Sequence, residues 1–193
     1  MRVHGKTKIR RRTYSEPIST QAARDMLRED FYELCGYCGK NGQRLHQRFH
    51  ADHFVPKSLD KEREWDYSNF VWACPKCNQI KYNKWPTGNK AVAHTGTVGF
   101  VDPAEEEFDR HLCRNKNGDI VGCTALGDQM CRLLNFHQRM TGFFWKVNEL
   151  CDRRDALRQR HLNGNLSLAE YQYYTDMDIL LDRILDALYE KGE

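Results

Sequence analysis

Along residues 1–90 the apolar positions come in short bursts between long polar stretches. Ala23, Met26, Leu27 and Phe31 recur at helical spacing and predict an amphipathic helix over roughly residues 20–34, entered through Pro17 and Ser19. Glycines at 36, 39 and 42 mark a turn. Leu45 and Phe49 among polar neighbours predict a strand over 44–53, and residues 56–68 read as a polar loop. Phe70-Val71-Trp72-Ala73 is an uninterrupted apolar run that predicts a second strand. Pro75 suits a first helical position and predicts a short helix to about residue 83. Pro86, Gly88, Gly96 and Gly99 then punctuate a long connection.

The pattern changes after residue 100. Asn115-Lys116-Asn117-Gly118-Asp119 is a hairpin-turn signal, predicting short strands around Leu112 and Ile120. Beyond Thr124 the periodicity is helical, with Met130, Leu133 and Leu134 on one face, then Phe143, Phe144, Val147 and Leu150 on another. A charged run over 152–161 ends at Asn163-Gly164-Asn165. Ser167 and Glu170 form a capping box that predicts a last helix carrying Tyr171, Tyr174, Ile179, Leu180, Ile184 and Leu188. The expected fold class is α+β: a small strand–strand–helix core with a helical C-terminal extension. Three regions are expected: a basic flexible arm over 1–18, a core over 19–90, and a mostly helical partner or assembly region over 91–193.

Charge sharpens this division. Residues 1–90 carry 18 Lys and Arg against 10 Asp and Glu, a net +8, whereas residues 91–193 carry 12 against 17, a net −5. A basic first half suits a phosphate-contacting domain, with Arg44, Arg48 and Lys81 as candidate contacts. No run of 18 apolar residues predicts a membrane span, and the basic N-terminus lacks the apolar stretch of a secretory signal, so a cytoplasmic setting is expected. In a reducing compartment the eight cysteines read as thiols or metal ligands rather than disulfides. Cys35/Cys38 and Cys74/Cys77 form two C-x-x-C pairs, and four thiolates so arranged make a closed, structural zinc site. The rival is a redox C-x-x-C, which stands alone rather than paired. Cys113, Cys123, Cys131 and Cys151 lack ligand spacing and are expected to be small buried apolar residues.

Between the cysteine pairs lie Asp52 and His53, then Pro56, Ser58 and Asn69; Asn78 and Lys81 follow the second pair. Phosphodiester hydrolysis needs a base for water and a cation for the leaving oxygen. Asp52 offers a hard oxygen and Asn78 a carbonyl, a sparse ligand set that suits magnesium. Adjacent strand residues point to opposite faces, so Asp52 and His53 reach one site only if the strand ends there. Each residue also has a plainer reading: an ordinary strand histidine, a turn asparagine, a solvated helix asparagine and a solvated lysine.

Taken together, Asp52-His53-x-x-Pro56-x-Ser58, Asn69 and Cys74-x-x-Cys77-Asn78-x-x-Lys81 resemble the HNH nucleases and their ββα-metal motif, over roughly 35–81. The resemblance implies a DNA endonuclease in which His53 is the general base and Asn69 holds the loop that orients it. Asp52 and Asn78 would bind a catalytic magnesium or manganese ion. Asn78 stands where a histidine often does, which disfavours zinc or nickel there. Asp102-Pro103, Asn117-Gly118 and Leu133-Leu134-Asn135 further resemble the HNH subunits of Septu and retron-associated anti-phage systems. That implies an ATPase partner, or a second copy, docking on the C-terminal helices. The alternative from another class is a zinc-stapled nucleic-acid-binding or assembly module that cleaves nothing.

Overall fold

The computed structural model describes residues 1–190. Its centre is an antiparallel hairpin of β1 (His50–His53) and β2 (Phe70–Ala73), followed by helix α2 (Pro75–Lys81). The register pairs Asp52 with Val71 and His53 with Phe70. β2 is buried at all four positions, as its unbroken apolar run requires. Helix α1 (Arg24–Asp30) covers it with Leu27 and, just beyond the helix, Phe31. Pro75 starts α2 as expected, and the Cys74 sulfur accepts the Cys77 N–H as its cap.

Two of these elements are shorter than their patterns predict. α1 does not reach residue 34 because Tyr32 and Glu33 both take positive φ and turn the chain toward the first cysteine pair. β1 does not begin at 44: His46 is left-handed, and Leu45 and Phe49 enter the core from turns rather than from a strand face. Apolar spacing alone does not distinguish these anchored turns from an extended strand.

A second hairpin joins β3 (Leu112–Arg114), which follows the short helix α3 (Phe108–His111), to β4 (Ile120–Gly122). Helix α4 (Ala125–Leu133) lies against it. The approach is close enough that a Cβ on Gly127 would meet the His111 carbonyl, so only glycine fits there. Cys113 and Cys123 are joined by a disulfide across this hairpin, with Cα atoms 6.4 Å apart. They are therefore not the separate small apolar residues expected, because hairpin closure brings together two cysteines that are ten residues apart.

α5 (Thr141–Leu162) and α6 (Leu168–Glu190) form an antiparallel helical hairpin around Val147, Cys151, Met177 and Leu181. The predicted capping box is present: Glu170 accepts from the Ser167 N–H, and the Ser167 hydroxyl accepts from the Glu170 N–H. The base of this hairpin meets the first half through Leu45, Phe144 and Leu188.

The N-terminal segment is not a free arm. Val3 and Ile9 are buried, and Arg2 bridges to Cys113 at the edge of the second hairpin. Arg11 forms a two-pronged bond to Asp102, and Arg12 bonds Asp30 and Glu29. A basic run stays solvated only where the fold presents no acids to it; here it does.

Candidate active site

The two C-x-x-C turns converge. The sulfurs of Cys35, Cys38, Cys74 and Cys77 all lie within 4.8 Å of one another, and all four residues are buried. Zinc–sulfur bonds of about 2.3 Å place tetrahedral ligands about 3.8 Å apart. The Cys38–Cys74 separation is 3.8 Å. Backbone N–H groups of Cys74 and Cys77 point at the Cys35 and Cys74 sulfurs, as thiolate chemistry requires. Arg139, far along the chain, donates to the Cys77 sulfur at 3.3 Å. The cluster therefore fits a tetrahedral zinc ion, with a cation beside it to offset the excess negative charge of four thiolates.

β1 ends at His53, and its last two side chains diverge. Asp52 is 6% exposed; its Oδ2 accepts the Tyr37 hydroxyl at 2.6 Å and lies 3.3 Å from the Lys81 ammonium. Burial pushes the pair toward its neutral forms, Asp52 up and Lys81 down, while each charge opposes that for the other. Tyr37 is likewise pushed well up, by burial and then by the Asp52 charge, so it stays a hydroxyl donor. Oδ1 of Asp52 has no protein donor among the described residues. It is the atom that can ligate a divalent ion, with Asn78 one turn before Lys81 on the same helix.

His53 lies at the other side of the strand end, edge-on to Phe70. Its Nε2 is 2.9 Å from the Glu64 carbonyl oxygen. A carbonyl only accepts, so Nε2 is the nitrogen that donates here and Nδ1 is the one turned away from this contact. Asn69 is fully buried and clamps the loop that supplies Glu64. Its Oδ1 accepts from Val55 N–H, and its Nδ2 donates to the carbonyls of Val55 and Arg63. Residues 54–69 are thus held by one side chain at the foot of β2.

Two of the expected phosphate contacts are engaged elsewhere. Lys81 is fully buried on Asp52 and the His53 carbonyl. Arg44 bonds Asp152 and the Asn148 carbonyl of α5, because the acidic second half folds back onto it. Arg48 remains exposed with no carboxylate partner among the described residues. Tyr37 and Arg139 were not legible as site residues. Tyr37 sits inside the first C-x-x-C turn, a position that hinted at a role; nothing in the sequence around Arg139 did.

An antiparallel hairpin leading into a short helix, stapled by four thiolates and carrying a carboxylate and a histidine at the end of its first strand, is a hairpin–helix metal domain. Residues 35–84, about a quarter of the chain, match the HNH endonuclease family model, so this segment is similar to HNH domains. Such domains use divalent metals and act on DNA, which supports a nuclease role for this one. No curated protein matches the chain.

Proposed function

We propose that the protein is a metal-dependent endonuclease that hydrolyses DNA phosphodiester bonds. The observation that carries this is the contact of His53 Nε2 with the Glu64 carbonyl at 2.9 Å, which supports Nδ1 as the base in this reading. In this reading Nδ1 takes a proton from water as the water oxygen attacks phosphorus, and the bond to the leaving oxygen breaks. Asp52 Oδ1 and Asn78 would hold magnesium or manganese, which when bound supplies positive charge at the phosphate and the leaving oxygen. Asn69 is a positioning residue acting through the loop. The four-cysteine cluster holds structural zinc and takes no part in the chemistry.

The competing reading, a zinc-stapled binding module, draws on the Asp52–Lys81 ion pair, since a carboxylate already matched by an ammonium has less to offer a metal. Cleavage decides between them. Purified protein with magnesium or manganese is expected to nick or cut plasmid DNA, and His53→Ala to lose this while keeping its zinc. Undiminished cutting by His53→Ala would overturn the assignment, and a wild type that binds DNA but never cuts favours the module.

We further propose that the nuclease works beside an ATPase in anti-phage defence. Support comes from the resemblance at Asp102-Pro103, Asn117-Gly118 and Leu133-Leu134-Asn135. The outer face of α6 also leaves Ile179 and Leu180 half exposed, at 49% and 51%. The partnership predicts an ATPase encoded beside this chain, whose addition to the same plasmid assay is expected to raise cleavage; the lack of such a neighbour, or an unchanged rate, counts against the partnership.

A further inference from the structure

A groove of about 810 Å³ runs between the hairpin–helix unit and the segment that leads into α5. Its cationic lining comprises Lys40, Arg48, His50, Lys76 and Arg139, and no carboxylate lines it among the described residues. Lys40 is the most telling. It is 8% exposed, its ammonium sits 3.6 Å over the Phe144 ring, and no carboxylate or carbonyl among the described residues meets it. Its stem is covered, but its Nζ is not a buried unpartnered atom, so the ammonium opens into the groove and is available to an anion. Arg139 is committed to the Cys77 sulfur, but Arg48 and Lys76 are exposed and have no ion-pair partner among the described residues. By contrast, nearby Arg44 is neutralised by Asp152.

The groove lies beside the proposed active site, sharing β1 and α2 with it, although Asp52, His53 and Asn78 do not line it. His50 and Asp52 are two residues apart on β1, about 7 Å at strand rise, and Gln79, which lines the groove, follows Asn78 on α2. The far wall, from Gln138 to Phe144, comes from outside the segment that matches the HNH model. It adds an aromatic ring and an apolar side chain, Met140, to an otherwise polar channel.

We propose that this groove docks the phosphodiester backbone of a single nucleic-acid strand beside the hydrolytic site. The inference rests on the nuclease reading and names its substrate path: free cations meet successive phosphates, and exposed Met140 offers an apolar contact to a base. An acidic peptide would satisfy the charges too, but a groove that borders a hydrolytic site for phosphodiesters favours a strand.

The test uses the full, zinc-loaded chain without added magnesium or manganese, so that binding is read apart from cleavage. Anisotropy of a labelled dodecathymidylate is followed against salt. The double variant Arg48→Gln/Lys76→Gln is expected to weaken binding about tenfold at moderate salt and to lower the log–log salt slope by about 1.4, two phosphate contacts at about 0.7 each. Lys40→Gln is expected to weaken binding as well, whereas Lys116→Gln, an exposed change of equal charge on the second hairpin, should not. Arg48 and Lys76 are exposed, so an unchanged zinc content and melting temperature accompany their loss. Binding by the double variant equal to wild type overturns the groove and leaves the nuclease reading intact. Equal affinity for thymidine monophosphate or inorganic phosphate overturns the strand in favour of a small-anion site, and equal affinity for polyglutamate overturns it in favour of a peptide. Strand binding that depends on the groove in a protein that never cuts supports the groove and removes the nuclease reading instead.

Discussion

At the scale of single residues, Asn69 shows how one side chain organises the site. Replacing it by alanine leaves the Val55 N–H and two carbonyls unpaired within a buried loop. At about 1–3 kcal/mol for each unsatisfied group, partly relieved by relaxation, Asn69→Ala is expected to lower stability by roughly 3 kcal/mol. Because the same loop presents the Glu64 carbonyl to His53, cleavage should fall along with it. Urea unfolding and plasmid cleavage measured together check this, and a variant that loses stability but cuts at the wild-type rate would detach Asn69 from the base. The Asp52–Lys81–Tyr37 group has a different logic. Asp52 and Lys81 were readable from sequence as separate polar residues and Tyr37 was not; their mutual burial was not readable either, because burial depends on which face of α2 turns toward β1.

At the scale of elements, the two cysteine turns hold the hairpin and helix together. Cys35 and Cys38 lie in the turn after α1, whereas Cys74 caps α2 and Cys77 sits in its first turn. The elements they join are too short to fold alone. Metal binding and folding of this unit are therefore coupled. Cys74→Ser is expected to lose zinc and solubility together, measured by metal content and circular dichroism; a soluble, folded, zinc-free Cys74→Ser would argue against the knot. These elements were also the most legible: the four apolar residues of β2, the proline opening α2, the hairpin turn at Asn115–Asp119 and the capping box at Ser167 are each set by neighbours in sequence. The overextended α1 and β1 failed where the chain bends through left-handed residues whose apolar side chains still reach the core.

At the scale of the whole molecule, the helical second half braces the first. Arg114 donates to the carbonyls of Val3, Cys38 and Gly118, joining the N-terminal segment, the zinc turn and the second hairpin. Asn148 of α5 bonds the Gly39 carbonyl, and Arg139 bonds the Cys77 sulfur. Outer partners of a metal site commonly tune affinity by ten- to a hundredfold. Arg139→Gln is accordingly expected to lose zinc to a chelator about tenfold more readily than wild type while remaining folded. Competition with a chromogenic chelator reads this, and an unchanged affinity would mean that the contact is incidental to the metal.

The sequence by itself determined the local chemistry: which residues turn, cap and pair at short range, where four thiols are spaced to clasp an ion, and that a carboxylate and a histidine stand together between them. Those features depend on backbone preferences and ligand spacing, which act over a few residues. Only the tertiary structure decided which charges are spent and which stay free. Arg44, Arg48, Lys40 and Lys81 look alike along the chain. One is neutralised by α5, one is buried on Asp52, and two open into a groove whose far wall begins some sixty residues after α2 starts. Coulombic partners are chosen by distance in space, and chain separation carries no record of it.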